Sequence, residues 1–265
     1  MNEGFGKTIK LFLLWWFLFL VPTIVGFILG RIFSKGSHDE ILSWSILVAN
    51  MLIVIVFFSK RYAQWSFGRI ERRMVWSTAC MTVLIAAAYL FVEEAVGELF
   101  FSEELHKLDN DSLLISGIGG ILYGAIFGPI AEEIGFRGIL LGGLLKSRCR
   151  PWFAILISAL LFGVLHQFPL AFFGSIVFGV IVGWLYWRTN SIIPGIIVHI
   201  VNNSLTAIDS TGWDNTVFII ILVVCLVLMA YGLWWVGKRC NNTELRNGEN
   251  NDTTETAENK REIAS

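Results

Sequence analysis

With 55% hydrophobic and only 15% charged residues among 265, and a mean hydropathy of +0.66, the chain carries too little polar surface for a soluble globular domain. The net charge of −1 comes from signs separated along the chain rather than mixed, and no basic stripe points to nucleic acid. The four cysteines are dispersed with no C-x-x-C spacing, which supports neither a disulfide framework nor a cysteine metal site. The composition is that of an all-α, polytopic membrane protein.

Taking roughly 20 apolar residues as one crossing, we read spans at 8–30, 41–59, 74–92, 113–145, 152–168, 170–187, 191–209 and 215–237. Lysine and arginine orient them. Lys7, Lys10, Lys60, Arg61, Arg69, Arg72, Arg73, Lys146, Arg148, Arg150, Arg188, Lys238 and Arg239 fall on one side, whereas Arg31, Lys35 and Lys107 fall on the other. Positive charge collects in the cytoplasm, so eight membrane-spanning helices with cytoplasmic N- and C-termini are expected.

The first span runs past Pro22 to Gly30 without a small-x-small cleavage site, which reads as an uncleaved helix rather than a signal peptide. The first two spans hold no buried charge and are rich in Trp and Phe, so anchoring and packing explain them. Residues 93–112 are acidic with interleaved Leu and Phe, the pattern of an exterior interfacial helix. Their Glu93-Glu94 pair has no arginine within a turn and sits at a membrane boundary, so it is read as solvated. Residues 1–112 thus form an N-terminal helical region.

The fourth segment, 113–145, is too long for a single crossing, about 50 Å of helix against a core of about 30 Å, and Gly128-Pro129 is the expected bend. Ser116, Gly120, Gly124 and Gly128 form a small-residue ridge that leads to Glu132, and Ser175, Gly179 and Gly183 form another; both read as tight helix packing. Inside this apolar segment stand Glu132, Glu133 and Arg137. A charge at membrane depth costs roughly 2.5–3.5 kcal/mol or more, so it is expected to face the protein interior and to serve function there. Glu133 and Arg137, four apart with the acid first, are set for an intrahelical ion pair. Glu132 points about 100° away, lacks that partner, and is the better general base.

Two further polar sites follow in apolar helices, Phe162-x-x-x-His166 and His199-x-x-x-Asn203. Measured from the cytoplasmic ends of their spans, Glu132, His166 and Asn203 all lie about 18–21 Å deep at helical rise. Asn203 shares a helix face with His199, whereas Asn202 points elsewhere. A carboxylate and an imidazole can deprotonate a water, while a second imidazole and an amide can donate to an oxyanion. Alternatively, Glu132, His166 and His199 could ligate a catalytic Zn²⁺, although the helical H-E-x-x-H motif is absent. No G-x-S-x-G context supports a serine nucleophile.

Glu132-Glu133-x-x-x-Arg137, Phe162-x-x-x-His166 and His199-x-x-x-Asn203, in this order on separate membrane helices, resemble the motifs of the CAAX-protease and bacteriocin-processing (Abi) family of intramembrane endopeptidases. The resemblance covers about 113–209, the expected catalytic core. It implies a helical bundle in which Glu132 and His166 activate water, His199 and Asn203 stabilise the oxyanion, and Glu133, Arg137 and Phe162 support the site. The family includes enzymes described as metal-dependent and as metal-independent, so zinc stays open. The implied partners are a peptide or protein substrate and the lipid bilayer, in a bacterial cytoplasmic membrane by analogy, with roles in peptide maturation, bacteriocin self-immunity or C-terminal processing. A non-catalytic scaffold on the same bundle is the alternative, and a proton-coupled transporter a weaker one, since no internal repeat is visible. Residues 210–237 form the last span, and 238–265 form a polar tail expected to be disordered in the cytoplasm.

Overall fold

The computed structural model describes residues 3–33, 38–59, 77–89, 91–92, 95, 117–166, 170–205 and 215–240. Among them the regular structure is entirely helical. The acidic segment with Glu93-Glu94, and the tail from 241 onward, lie outside the described residues, apart from Ala95.

We number the helices α1 (Glu3–Phe33), α2 (His38–Phe58), α3 (Ser77–Tyr89), α4 (117–146), α5 (Pro151–Val164), α6 (Leu170–Thr189), α7 (Ile193–Leu205) and α8 (Asn215–Arg239). Four are long and apolar enough to cross a membrane, through Phe5–Ile32, Ile41–Phe58, Phe172–Thr189 and Ile219–Arg239. Helix length does not give the expected eight crossings. The 14 residues of α5 and the 13 of α7 reach only about 21 and 20 Å, short of a hydrocarbon core of about 30 Å.

Helix α4 does not break at Gly128-Pro129. It passes through as alternating α and π turns: Gly117–Leu122 α, Tyr123–Phe127 π, Gly128–Glu133 α, Ile134–Leu141 π and Gly142–Lys146 α. The Gly128 N–H bonds to the Tyr123 carbonyl, five residues back. Proline lacks an N–H and crowds the carbonyl four residues before it, and a widened turn directly ahead of it relieves that conflict. The helix ends beside Arg148, which adopts a left-handed conformation at φ 62°, before Pro151 opens α5.

Small residues set the spacing between α5 and α6. A side chain at Gly179 would come within 2.9 Å of Ala159, and one at Gly183 within 3.2 Å of Ile155. The second small-residue ridge is thus a packing seam. An aromatic chain runs through the core from α1 to α7: Phe12 stacks on Trp15, Trp15 meets Phe136 edge-on at 5.5 Å, Phe136 meets Phe162 at 5.2 Å, Phe162 lies 6.0 Å from Phe178, and Phe178 ends 4.8 Å from the His199 ring. Such pairs add about 0.5–1.5 kcal/mol each beyond their buried area.

Candidate active site

Glu133 and Arg137 are sealed in the core, 0% and 1% exposed. Arg137 Nη1 donates to Glu133 Oε1 at 2.7 Å, and the guanidinium lies over the Phe162 ring at 4.6 Å and the Phe178 ring at 5.8 Å. The positive group is held by a carboxylate at its end and by ring faces along its plane, while Arg137 Nε and Nη2 and Glu133 Oε2 are buried without a hydrogen-bond partner.

The same Glu133 oxygen lies 3.1 Å from His199 Nδ1. A carboxylate oxygen that already accepts a hydrogen bond from arginine can accept a second, so Nδ1 carries the hydrogen and Nε2 is directed away from Glu133. Nε2 faces Glu132, with Oε2 at 3.7 Å, which is close for charge attraction yet too long for a hydrogen bond. The Glu132 side chain is 33% exposed against 6% for His199. Glu133 reaches α7 because position 195 is glycine: a Cβ there would stand 2.6 Å from Glu133 Oε2.

His166 lies just past the end of α5, and its Nδ1 is 2.9 Å from the carbonyl oxygen of Phe162. A carbonyl only accepts, so the hydrogen sits on Nδ1 and the Nε2 lone pair is left as a base. The Phe162 ring packs 4.6 Å from the His166 ring and 5.8 Å from that of His199, so one residue orients both imidazoles. Asn203 Nδ2 donates to the Gly124 carbonyl at 2.9 Å, which ties the last turn of α7 to the first π segment of α4.

Other contributors leave little trace in the sequence. Trp15 Nε1 donates to the carbonyl of Ala131 at 2.8 Å, next to Glu132, and Ser158 Oγ donates to the carbonyl of Phe136 at 3.0 Å. Trp15 therefore does more than the anchoring read from its span. The two bonds hold backbone carbonyls at the margin of and within the π segment Ile134–Leu141, where the regular hydrogen-bond ladder is interrupted. A hydroxyl or indole aimed at a distant carbonyl has no periodicity to betray it. Gly135 was the available hint, since a side chain there would meet Trp15 at 2.5 Å.

The zinc alternative can be tested on the donors themselves. Among the described residues no group of three His, Cys, Asp or Glu side chains converges to hold a metal ion. His166 and His199 each direct Nδ1 at a protein oxygen, which leaves both Nε2 atoms for other partners, and His199 Nε2 lies 3.7 Å from Glu132 Oε2.

Residues 114–205 match the family described as type II CAAX prenyl endopeptidase Rce1-like. The protein of Bacillus subtilis (strain 168) named "Putative membrane peptidase YdiL" is 35% identical over 88 residues, 33% of this chain and 36% of that protein. The match thus spans about a third of the relative's length. No solved structure matches the chain. The matched stretch begins just before α4 and ends with α7, so the part of the chain that is similar to this family contains every charged and imidazole residue of the site.

Proposed function

We propose that the protein is an intramembrane endopeptidase that hydrolyses a peptide bond at the membrane through a glutamate-activated water. One observation carries the reading: Glu132 is partly open and lies 3.7 Å from a histidine whose other face is fastened to the sealed Glu133–Arg137 pair.

In this mechanism Glu132 takes a proton from a water that hydrogen-bonds to His166 Nε2, and the water oxygen attacks the scissile carbonyl carbon. The electron pair of the C=O bond moves onto oxygen. His199, donating through Nε2 when the ring holds both protons, and the Asn203 amide stabilise that oxyanion. Collapse breaks the C–N bond, Glu132 returns its proton to the departing nitrogen, and the products are a carboxylic acid and an amine. Phe162, Glu133 and Arg137 hold the imidazoles in place. No step uses a metal.

The test is cleavage of fluorogenic peptides by the purified full chain, beside Glu132→Gln and with a chelator. Loss of a general base costs about 10²–10⁴-fold in rate. We expect a loss of that order at unchanged protein abundance, and full activity with chelator. Equal cleavage by Glu132→Gln would overturn the reading in favour of a non-catalytic scaffold, and abolition by chelator would reinstate zinc.

A further inference from the structure

Helices α6 and α8 carry the same pattern at the same spacing. On α6 it is Phe173, Val177, Trp184 and Arg188, and on α8 it is Val223, Val227, Trp234 and Lys238. In both, the positions share one helix face, since steps of four, seven and four residues each return close to the same bearing. The apolar members, Phe173, Val177, Val223 and Val227, are exposed. Helix α5 shows the order in reverse, with Arg150 and Trp152 ahead of exposed Phe153 and Leu156. Each stripe therefore passes from apolar side chains to a tryptophan and then to a cation, the order of environments along a phospholipid from its acyl chains to its headgroup.

The stripes of α6 and α8 meet at Arg188. Its Nη2 donates to the Gly237 carbonyl in the last turn of α8, and its guanidinium lies 5.5 Å from the centre of the Trp187 ring and 6.0 Å from that of Trp184. Glycine at 237 permits the approach, because a side chain there would stand 3.2 Å from Trp184. Lys238 lies 5.0 Å from the Trp234 ring and Arg239 lies 5.9 Å from that of Trp235. The Trp152 ring, 6.0 Å from Trp187, brings the start of α5 with Arg150 alongside. An arginine at a membrane boundary ordinarily extends its head into water. Here the guanidinium is drawn between two helices, and its Nε is buried without a hydrogen-bond partner. Among the described residues no carboxylate pairs with Arg150, Arg188, Lys238 or Arg239. Cations gathered on ring faces without a counter-ion attract an anion.

We propose that the ends of α6 and α8 form a binding site for an anionic phospholipid, whose phosphate meets Arg188 among Arg150, Lys238 and Arg239 and whose acyl chains lie along the exposed stripes of the two helices. The phosphate oxygens accept from guanidinium donors that the Gly237 carbonyl leaves unused. Free phosphate carries the same charge but nothing to cover Phe173, Val177, Val223 and Val227, so the lipid is the occupant. The site stands apart from the polar core: Phe178, whose ring meets His199, precedes Arg188 on α6 by ten residues, about 15 Å at helical rise. The lipid thus holds α8 against α6, and the inference does not rest on the peptidase reading.

Native mass spectrometry of the purified full chain, released from neutral detergent after exposure to an equimolar mixture of phosphatidylglycerol and phosphatidylcholine, tests the site without requiring catalysis. We expect phosphatidylglycerol to be retained in preference, and the preference to fall about fivefold for each cation removed in Lys238→Gln and in Arg150→Gln with Lys238→Gln. Arg31→Gln should keep the full preference, since that cation lies over the Phe27 ring at the opposite end of α1 from Thr8, which meets Gly143. Arg188→Gln removes the guanidinium itself and should abolish the preference; where that variant does not fold, the pair of exposed substitutions at 150 and 238 decides. Equal retention of the two lipids by the unmodified chain, or a preference that Arg31→Gln lowers as much as Lys238→Gln, would overturn the inference. So would thermal denaturation in which millimolar inorganic phosphate stabilises the chain as well as phosphatidylglycerol does, because the occupant would then be phosphate alone.

Discussion

Glu133 serves two neighbours through one oxygen, Arg137 at 2.7 Å and His199 at 3.1 Å. Its replacement should therefore behave differently from that of Glu132. Glu133→Gln leaves Arg137 buried and unpaired, and breaking a buried pair from one side costs about 3–5 kcal/mol, so we expect a large fall in the thermal midpoint together with loss of cleavage. Glu132→Gln should change activity while leaving the melting curve in place, and side-by-side thermal denaturation in detergent separates the two. Trp15→Phe keeps an aromatic ring but removes the donor to the Ala131 carbonyl. The Ala131 carbonyl keeps the Ile134 N–H, so the loss is that of one hydrogen bond, about 0.5–1.5 kcal/mol, and we expect a loss of turnover larger than any change in KM. The spacing of Glu133 and Arg137 made their pairing legible in the sequence, because four residues make about one helical turn. The partnership of Glu133 with His199 spans 66 positions, and only the fold brings it together. The same holds for Phe162, whose ring could be expected beside His166 but whose carbonyl, which fixes the histidine tautomer, is invisible in a side-chain pattern.

Helices α5, α6 and α7 position the two histidines, and their packing depends on residues that contribute no chemistry. Gly179→Val would drive a branched side chain into Ala159, 2.9 Å from where its Cβ must stand. Overpacking costs about 1–3 kcal/mol, and because α5 carries His166 we expect activity to fall together with stability, read by peptide cleavage and thermal denaturation of the same preparation. The small-residue ridge on α6 was readable because four-residue spacing gives a continuous helix face. The length of α5 was not: residues 152–168 are apolar almost throughout, and hydropathy does not register that the helix ends at Val164. Nor did Gly128-Pro129 announce that its strain would be absorbed as a π turn, since a π turn and an α turn use the same residue types.

At the scale of the molecule, the family match begins only at residue 114, but the site's support begins with α1. Trp15 and Phe12 of α1 support Phe136, Thr8 fills the space at Gly143, and Trp44 of α2 would lie 3.1 Å from a side chain at Gly119. Residues 113–209 expressed alone should therefore be inactive, whereas co-expression of residues 1–112 with 113–265 as separate chains should restore cleavage. The all-helical class and the polar core were legible because charge within apolar sequence is so costly; helix length among the described residues supports four crossings of the eight read from the sequence. The π segments of α4 add a constraint that no single substitution would expose. Each fits a residue more into its turns than a regular α-helix would, so the bearing of Glu132 depends on how many residues precede it as well as on which they are. Inserting one residue between 123 and 127, beyond the one the π turn already absorbs, would rotate the N-terminal part of α4 by about 100° against its C-terminal part. The Gly124 carbonyl would leave Asn203 while every side chain of the three motifs remained intact, making the exact residue count of this helix part of the site.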